Sequence, residues 1–284
     1  MESGGYQMSY KEVLDGSKIS ISISESESMP ALGLSHAHLV DAMCEAARHM
    51  LALGATVTYG GDLRTHGFTR ILYELVCRYR KDSCDNKNLA SVINYLAWPV
   101  FMNSNIDDLF ALSGEMEGTA EIKIIDEQCN PLSLKDASSL MRSSTFDWSS
   151  GLTAMRRIIT AESTARIVLG GKTSKFNGSM PGIAEEVLIS LQSHKPVYLL
   201  GGFGGCTREI LDLMGVDNQF DASFPCWPYS DEFKQYQLED LRNGLTTEEN
   251  TALANTPHID QAIVLVIRGL MNIHTDNRVE ALRD

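Results

Sequence analysis

The stretch Ala165-Arg-Ile-Val-Leu-Gly-Gly-Lys172 decides the fold of this chain, because an apolar run ends there in two glycines. Gly182-Ile-Ala-Glu-Glu186 follows ten residues later, after a short polar loop. The first segment is typical of a buried strand and the second of the start of a helix. Backbone N–H groups at such a junction bind phosphate, and an early helical carboxylate accepts hydrogen bonds from ribose hydroxyls. The pattern indicates a nucleotide site.

The same strand-then-Gly-Gly pattern occurs twice more, at Val57-Thr-Tyr-Gly-Gly-Asp62 and at Val197-Tyr-Leu-Leu-Gly-Gly202. In a parallel sheet the carboxyl ends of the strands share one edge, and ligands bind where the loops diverge. The three endings therefore predict one shared ligand-binding rim. Its predicted glycines are Gly60, Gly61, Gly170, Gly171, Gly182, Gly201 and Gly202.

Strands alternate with helices along most of the chain, which predicts an α/β protein with a Rossmann-like, mostly parallel sheet and helices on both faces. The predicted strands cover 18–24, 55–59, 89–98, 120–125, 165–170 and 196–200, and the predicted helices 39–51, 68–80, 133–141, 151–161 and 181–193. Capping patterns at Thr246-Thr-Glu-Glu249 and Thr256-Pro257 predict two C-terminal helices. We expect a flexible arm over 1–17, the α/β domain over 18–230, and a C-terminal helical extension over 231–284 packed on that domain.

Composition narrows the class of protein. The chain has 284 residues, of which 43% are hydrophobic, so it can bury a large core. Its net charge of -13 argues against a general nucleic-acid surface, which needs a basic stripe. The six cysteines show no CxxC spacing, which favours reduced thiols in a cytoplasm and no metal site. The N-terminus lacks an export signal, and the apolar run Ala262 to Ile267 is too short to span a bilayer.

Polar residues near the first two strand ends are candidate ligands. Ser24, Glu25 and Ser26 follow the first strand and are predicted to line the pocket floor. In the turn after the second strand, Arg64 is predicted to bind phosphate and Asp62 a ribose hydroxyl. The alternative is a tight turn in which Asp62 caps the next helix.

Helical geometry separates the two glutamates of the opening motif. If Ile183 and Val187 lie on the buried face, a turn of about 100° per residue puts Glu186 at the edge of that face. The same geometry puts Glu185 on the polar side, where it would only complement the helix macrodipole. Glu186 is therefore the preferred ligand candidate.

Three cations lie beside this motif. Lys172 is a candidate phosphate ligand, although it could equally be a solvated lysine. One of Arg156 and Arg157 is predicted to face the rim as a phosphate fork, the other being a surface charge.

Two further segments are ambiguous. Phe203 lies in a glycine-rich loop that either approaches a ligand closely or is a flexible linker. The segment 220–229 is rich in aromatics, which either wall a base pocket or pack into the core.

These residues together resemble the SLOG superfamily, the Rossmann-like group that unites the LOG "lysine decarboxylase-like" proteins, the Smf/DprA proteins and sensor domains of bacterial NAD-linked defence systems. LOG enzymes carry a PGGxGTxxE signature after an arginine-bearing helix. The matching elements are Arg156-Arg157, Gly170-Gly171-Lys172 and Gly182 to Glu186. Ile183 stands where LOG has its phosphate-binding threonine, and Thr173 to Pro181 separates two glycine elements that are contiguous in LOG.

The resemblance implies two alternative functions. As a LOG-like or deoxyribosyltransferase-like enzyme, the protein would cleave an N-glycosidic bond of a nucleotide. Glu186, or alternatively Glu25, would then stabilise the transition state, with Arg156 or Arg157 as the partner arginine. The departures at Ile183 and Thr173 to Pro181 favour the sensor branch, which is similar to the domain attached to sirtuin-type NADases in Thoeris defence and binds a cyclic ADP-ribose signal. A scaffold with a vestigial pocket is the third possibility.

In the preferred sensor function the chain would bind a nucleotide or NAD-derived ligand without catalysis and without a required cofactor. The resemblance further implies a homo-oligomer and a TIR or other effector protein encoded separately, in anti-phage defence. We expect neither membrane nor general nucleic-acid partners.

Overall fold

The computed structural model describes residues 12–61, 67–82, 91–140, 147–217 and 226–281. Within these ranges seven strands form one sheet in the order β5-β4-β3-β2-β1-β6-β7. The strands are β1 (Lys18–Ser24), β2 (Thr56–Gly60), β3 (Val92–Ala97), β4 (Ala120–Ile125), β5 (Pro131–Ser133), β6 (Ala165–Gly170) and β7 (Val197–Leu200). Neighbouring strands are parallel except β4 and β5, which are antiparallel. The predicted mostly parallel, Rossmann-like sheet is confirmed.

Helices cover both faces of the sheet, as predicted. They are α1 (His36–Ala52), α2 (Phe68–Asp82), α3 (Trp98–Asn103), α4 (Ile106–Glu115), α5 (Leu134–Ser139), α6 (Trp148–Glu162), α7 (Gly182–Gln192), α8 (Gly205–Leu213), α9 (Thr247–Asn255) and α10 (Ile259–Ala281). Helices α1, α2 and α10 share one core cluster with β1, while α7 and α8 pack on the opposite face of β6 and β7. Helix α6 covers β3 on that second face.

Strand β1 shows how the alternating sequence positions the two layers. Its isoleucines Ile19, Ile21 and Ile23 are buried in the cluster with α1 and α10. Successive side chains of a strand point to opposite faces, so the intervening serines face α6 and α7. Ser22 and Ser24 pair in register with Val168 and Gly170 of β6.

The strand order places a topological switch at β1. The chain builds β2, β3 and β4 on one side of this strand and then returns to add β6 and β7 on the other. In open α/β sheets, ligands bind in the crevice outside the carboxyl ends of the strands at such a point. The carboxyl ends of β1 and β6 are therefore where a ligand site is expected.

Several boundaries differ from the sequence prediction. The strand predicted to run to Trp98 ends at Ala97, because Pro99 lies in the first turn of α3, where its missing N–H costs nothing. Helices α3, α4 and α8 and the short strand β5 were not predicted. Helix α6 begins before the predicted Gly151, because the Asp147 carboxylate accepts hydrogen bonds from the N–H groups of Ser149 and Ser150.

Both ends of the described chain pack on the sheet layers. Leu14 is buried in the core, and its N–H donates to the carbonyl of Leu53 at 2.8 Å. Helix α10 packs against α1. The division into arm, domain and extension stays a prediction, and residues 1–11 lie outside the described ranges. Across the described helices, none has the length and apolar character needed to cross a membrane.

Candidate functional site

A cavity of about 260 Å³ lies at the carboxyl ends of β1 and β2, beside the topological switch. Strand ends, helix α6, the loop after β6 and the start of α7 all contribute to its wall. The predicted ligand-binding residues that line it are Ser24, Gly60, Gly61, Arg156, Lys172, Gly182 and Glu186. Ile21, Ser22, Ile23, Tyr59, Phe176 and Ile183 complete the lining. The structure thus brings together residues from four separate segments of the chain.

Glu186 is held on one side by hydrogen bonds. Its Oε2 accepts from Ser22 Oγ and, at 3.1 Å, from Nη1 of Arg166. The same Nη1 donates to Ser22 Oγ at 2.7 Å, which closes a three-membered network. These hydrogen bonds fix the orientation of the carboxylate, and Glu186 as a whole is only 9% exposed.

The second oxygen of Glu186 is free of such bonds. Oε1 lies 3.9 Å from Nε of Arg156, and no group in the described ranges donates a hydrogen bond to it. Arg156 Nε is itself buried and has no hydrogen-bond acceptor among the described residues. Buried donors without a partner are rare. The two atoms therefore form an open pair, one donor and one acceptor without a hydrogen bond among the described residues, although Nε itself has almost no accessible surface.

Glu185 occupies a different position from the one predicted. The expectation that it lies on the polar side of α7 is wrong, because α6 packs against that side and leaves Glu185 only 6% exposed. Its carboxylate accepts hydrogen bonds from Thr153 and from Nη1 of Arg156. Buried charges need such partners, and Arg156 supplies the opposite charge.

The electrostatics of the site follow from these pairs. Arg156 and Arg166 face Glu185 and Glu186, so two buried positive charges balance two negative ones. Burial lowers the pKa of the Arg166 guanidinium, the carboxylate of Glu186 raises it, and the charge of Arg156 lowers it further. Lys172 is exposed and has no ion pair within the described part of the chain. Among the described residues that line the cavity, it is the cation without a charge partner.

Arg157 follows Arg156 in α6 but is exposed and does not line the cavity. Of the two arginines, Arg156 is the one that faces the predicted rim. Gly182 makes room for its guanidinium, because a Cβ there would lie 2.7 Å from Nη2.

Gly170 and Gly171 join two strands rather than lining the cavity. Both have positive φ, at 68° and 106°. The N–H of Gly171 donates to the carbonyl of Ser24 at 2.8 Å, and a Cβ on Gly170 would lie 2.3 Å from the same oxygen. These glycines permit the close approach of β1 and β6 that forms the crevice.

The third Gly-Gly turn does not reach the cavity. A Cβ on Gly201 would lie 2.4 Å from the carbonyl oxygen of Ala254, and one on Gly202 would lie 2.0 Å from that of Thr256. Phe203 is 2% exposed within the core. The connection between α9 and α10 packs on this turn, so the glycines serve chain packing there.

Two residues predicted for the pocket floor also lie elsewhere. Glu25 is exposed, with its Oε1 2.8 Å from Nδ1 of His36. Ser26 is buried against Gly205, where an added Cβ would lie 2.4 Å from the Ser26 Cβ. Neither side chain lines the cavity.

Some predicted residues fall outside the described ranges. Asp62 and Arg64 lie in 62–66, and Phe224 lies in 218–225. In the rest of the aromatic segment, Trp227 is buried and donates from Nε1 to Glu209 Oε2 at 2.7 Å. This tryptophan packs in the core, while Tyr229 is exposed.

Arg166 of β6 was not among the predicted site residues, and it is only 2% exposed, between the sheet and helices α6 and α7. Its Nε donates to Ser190 Oγ and its Nη2 to Thr160 Oγ1, both at 2.9 Å. A single charge between apolar residues of a buried strand was the available signal, since such a charge requires a partner on the facing helix.

Comparison with known families agrees with this architecture. The family model described as SLOG cluster2 matches residues 13–224, which is most of the chain. No curated protein matches the sequence. The family indicates a nucleotide-related, Rossmann-like domain, and the cavity lies within the matched region. The chain therefore belongs to the SLOG cluster2 family.

Proposed function

We propose that this SLOG protein binds a nucleotide or NAD-derived ligand, of the ADP-ribose or cyclic ADP-ribose type, in the cavity between β1, α6 and α7. The observation that carries the proposal is the open pair at the cavity wall, Glu186 Oε1 and Arg156 Nε, 3.9 Å apart. A ribose hydroxyl both donates and accepts hydrogen bonds. It can donate to the carboxylate oxygen and, after a small shift of the Arg156 side chain that exposes Nε, accept from the N–H, which satisfies both groups at once.

Lys172 is the proposed phosphate ligand. Glu185 already neutralises Arg156, so the guanidinium contributes hydrogen bonds rather than net charge. Lys172 carries a full charge at the edge of the same cavity. At about 260 Å³ the cavity is slightly smaller than the roughly 300–1,000 Å³ of sites that enclose drug-sized ligands. We infer that it encloses a nucleoside monophosphate portion, with the remainder of a larger ligand extending outward.

Binding without cleavage is the preferred function. Ile183 lines the cavity and presents no hydroxyl to a phosphate, although it stands where the LOG signature has threonine. By the same resemblance we propose that the protein is a homo-oligomer and that the bound ligand signals to a separately encoded effector, such as a TIR protein, in anti-phage defence.

An N-glycosidic hydrolase is the second candidate. The supporting observation is that Ser22 and Arg166 fix one oxygen of Glu186 and leave the other available. A carboxylate held beside an anomeric carbon stabilises an oxocarbenium-like transition state. In that case Arg156 would position the substrate.

Calorimetry and product analysis test the two functions together. The protein is titrated with NAD, AMP, ADP-ribose and cyclic ADP-ribose isomers, and free base is measured by chromatography. We expect saturable binding without release of free base. A bound ligand should also stabilise the protein against unfolding, by about 2.7 kcal/mol when it is present at 100 times its Kd. Base release that disappears in Glu186→Gln, but persists in the exposed control Arg157→Gln, would establish the hydrolase instead. No binding of any of these ligands would favour a vestigial pocket.

A further inference from the structure

The loop between β6 and α7 contributes an aromatic ring to the cavity. Phe176 lines it together with Lys172 and Ile183. The side chain is half-buried, so part of its ring surface remains available on the cavity side. The loop belongs to the segment Thr173 to Pro181 that separates the two glycine elements.

Contacts on both sides hold this loop in place. Ser174 Oγ donates to Glu27 Oε1 at 2.5 Å, which ties the loop to the turn after β1. Beyond Phe176, a Cβ on Gly178 would lie 3.2 Å from Nη1 of Arg156, and Met180 is buried in the core. Lys175 adopts a φ of 53°, a conformation that non-glycine residues keep only where their surroundings enforce it. Phe176 is therefore presented from a fixed backbone.

Tyr59, the other aromatic residue of the described lining, has a different role. It packs edge-on against Phe68, with ring centroids 6.3 Å apart, and closely covers the backbone of Gly61. Its ring belongs to the cluster with α1 and α2 on the other face of the sheet. Among the described residues that line the cavity, Phe176 is left as the ring that can take a flat ligand group.

We propose that Phe176 is a stacking platform for a nucleobase, so that the site selects ligands that retain a base over base-free sugar phosphates. This inference rests on the proposed nucleotide pocket. The polar side chains of the described lining, Ser22, Ser24, Glu186, Arg156 and Lys172, suit hydroxyls and phosphate, and the guanidinium of Arg156 is already engaged by Glu185. Stacking on an aromatic ring supplies that contact for any base, because every base has a π face.

Matched ligands and variants test the inference by calorimetry. AMP and ribose 5-phosphate are titrated into the wild-type protein, Phe176→Leu and Phe176→Tyr. Leucine keeps an apolar side chain against the core cluster that contains Met180 and Ile183 but removes the ring, whereas tyrosine keeps the ring. We expect Phe176→Leu to weaken AMP binding by about 5- to 150-fold, the range for loss of one base–aromatic stack, with ribose 5-phosphate unaffected. Phe176→Tyr should retain AMP binding.

The control is Phe110→Leu, an exposed phenylalanine on α4 outside the cavity lining. Unchanged AMP affinity in Phe176→Leu, or an equal loss for AMP and ribose 5-phosphate, would overturn the stacking role while leaving the nucleotide pocket intact. Failure of the wild-type protein to bind AMP, NAD, ADP-ribose and the cyclic ADP-ribose isomers alike would overturn the proposed function itself, whereas binding of ADP-ribose with no difference between the wild-type protein and Phe176→Leu would overturn only the stacking role. If Phe176→Leu does not fold, Phe176→Trp replaces it: added fluorescence quenching by AMP but not by ribose 5-phosphate supports stacking, and equal quenching contradicts it.

Discussion

Nη1 of Arg166 lies 3.1 Å from Oε2 of Glu186, and the two charged side chains are buried together between β6 and α7. The hydroxyls of Ser22, Thr160 and Ser190 accept the other hydrogen bonds of the guanidinium. The charge is thus compensated by one carboxylate and three hydroxyls. This network fixes Glu186 at the cavity wall before any ligand binds, which is the preorganisation that a specific site requires.

Arg166→Met is expected to lower the unfolding free energy by about 3–5 kcal/mol, because it leaves the buried carboxylate of Glu186 without its closest charge partner. Urea unfolding measures the change. The matched control is Arg157→Met, because Arg157 is an exposed residue of α6. This variant should change the unfolding free energy by no more than about 0.5 kcal/mol. Equal losses in the two variants would contradict the buried ion pair.

Replacing both Arg166 and Glu186 separates the energetic effect of losing the ion pair from the effect of losing side-chain packing. Arg166→Met combined with Glu186→Leu removes both charges, so the double variant should be more stable than the sum of the two single losses predicts. Coupling of about 0.5–3 kcal/mol is the range seen for residues in one network. Additive losses in the double-mutant cycle would show that the two side chains act independently.

Lys172→Gln is expected to weaken ADP-ribose binding by about 1.5–3 kcal/mol, the contribution of a hydrogen bond to a charged group. Lys175→Gln is the control, since Lys175 lies in the same loop, is exposed and does not line the cavity. High salt screens exposed charges, so the difference between the two variants should narrow as ionic strength rises. Similar affinities for the two variants at low salt would exclude Lys172 as the phosphate ligand.

Gly171→Ala tests the strand-end packing that brings α7 and α8 together. Its φ of 106° disfavours any side chain, and an added Cβ would lie 2.9 Å from both Cys206 Cβ and Ile183 Cδ1. Gly16→Ala, with a φ of 80° and open space around the new Cβ, has only the conformational cost of roughly 1–2 kcal/mol. We expect Gly171→Ala to add an overpacking cost of about 1–3 kcal/mol in urea unfolding. Equal losses would mean that the crevice tolerates the methyl group.

The strands of the sheet could be predicted from the sequence, whereas the set of strand ends that form the cavity could not. Period-two alternation in β1 and glycine-ended apolar runs are local signals, so the strands and their shared edge were accessible. Gly60 and Gly201 end similar runs, yet only Gly60 reaches the cavity. What packs on Gly201 is Ala254, which is distant along the chain. A local pattern marks where a strand ends but not which segment approaches it.

The two glutamates show the same limit within one helix. Helical periodicity assumes a single buried face, which placed Glu185 in solvent. Helix α7 instead packs on the sheet and on α6, so both Glu185 and Glu186 are buried. Their separate partners, Arg156 and Arg166, come from other elements and leave no trace in the spacing of α7 itself. Identifying such pairs requires the tertiary arrangement.

The contacts of Glu162, at the end of α6, predict how the stability of the fold changes as the pH falls. Burial raises the pKa of its carboxyl, but hydrogen bonds from Lys18 and Tyr95 and the charge of Lys123 outweigh burial and hold the pKa below the ordinary 4.5. A carboxyl with a depressed pKa in the folded state stabilises the protein above its unfolded-state pKa, and this contribution is lost as pH falls through the folded-state value. Glu162→Gln should therefore be less stable than the wild-type protein at neutral pH.

The difference in unfolding free energy between the wild-type protein and Glu162→Gln should shrink as the pH falls below about 4.5, since protonation of Glu162 then removes from the wild-type protein the charge that the variant already lacks. Urea unfolding at several pH values between 7 and 3.5 measures it. Glu127→Gln, exposed beyond β4, provides the control and should track the wild-type protein throughout. A difference that stays constant across this pH range would mean that Glu162 stabilises the fold through its shape and not through its charge.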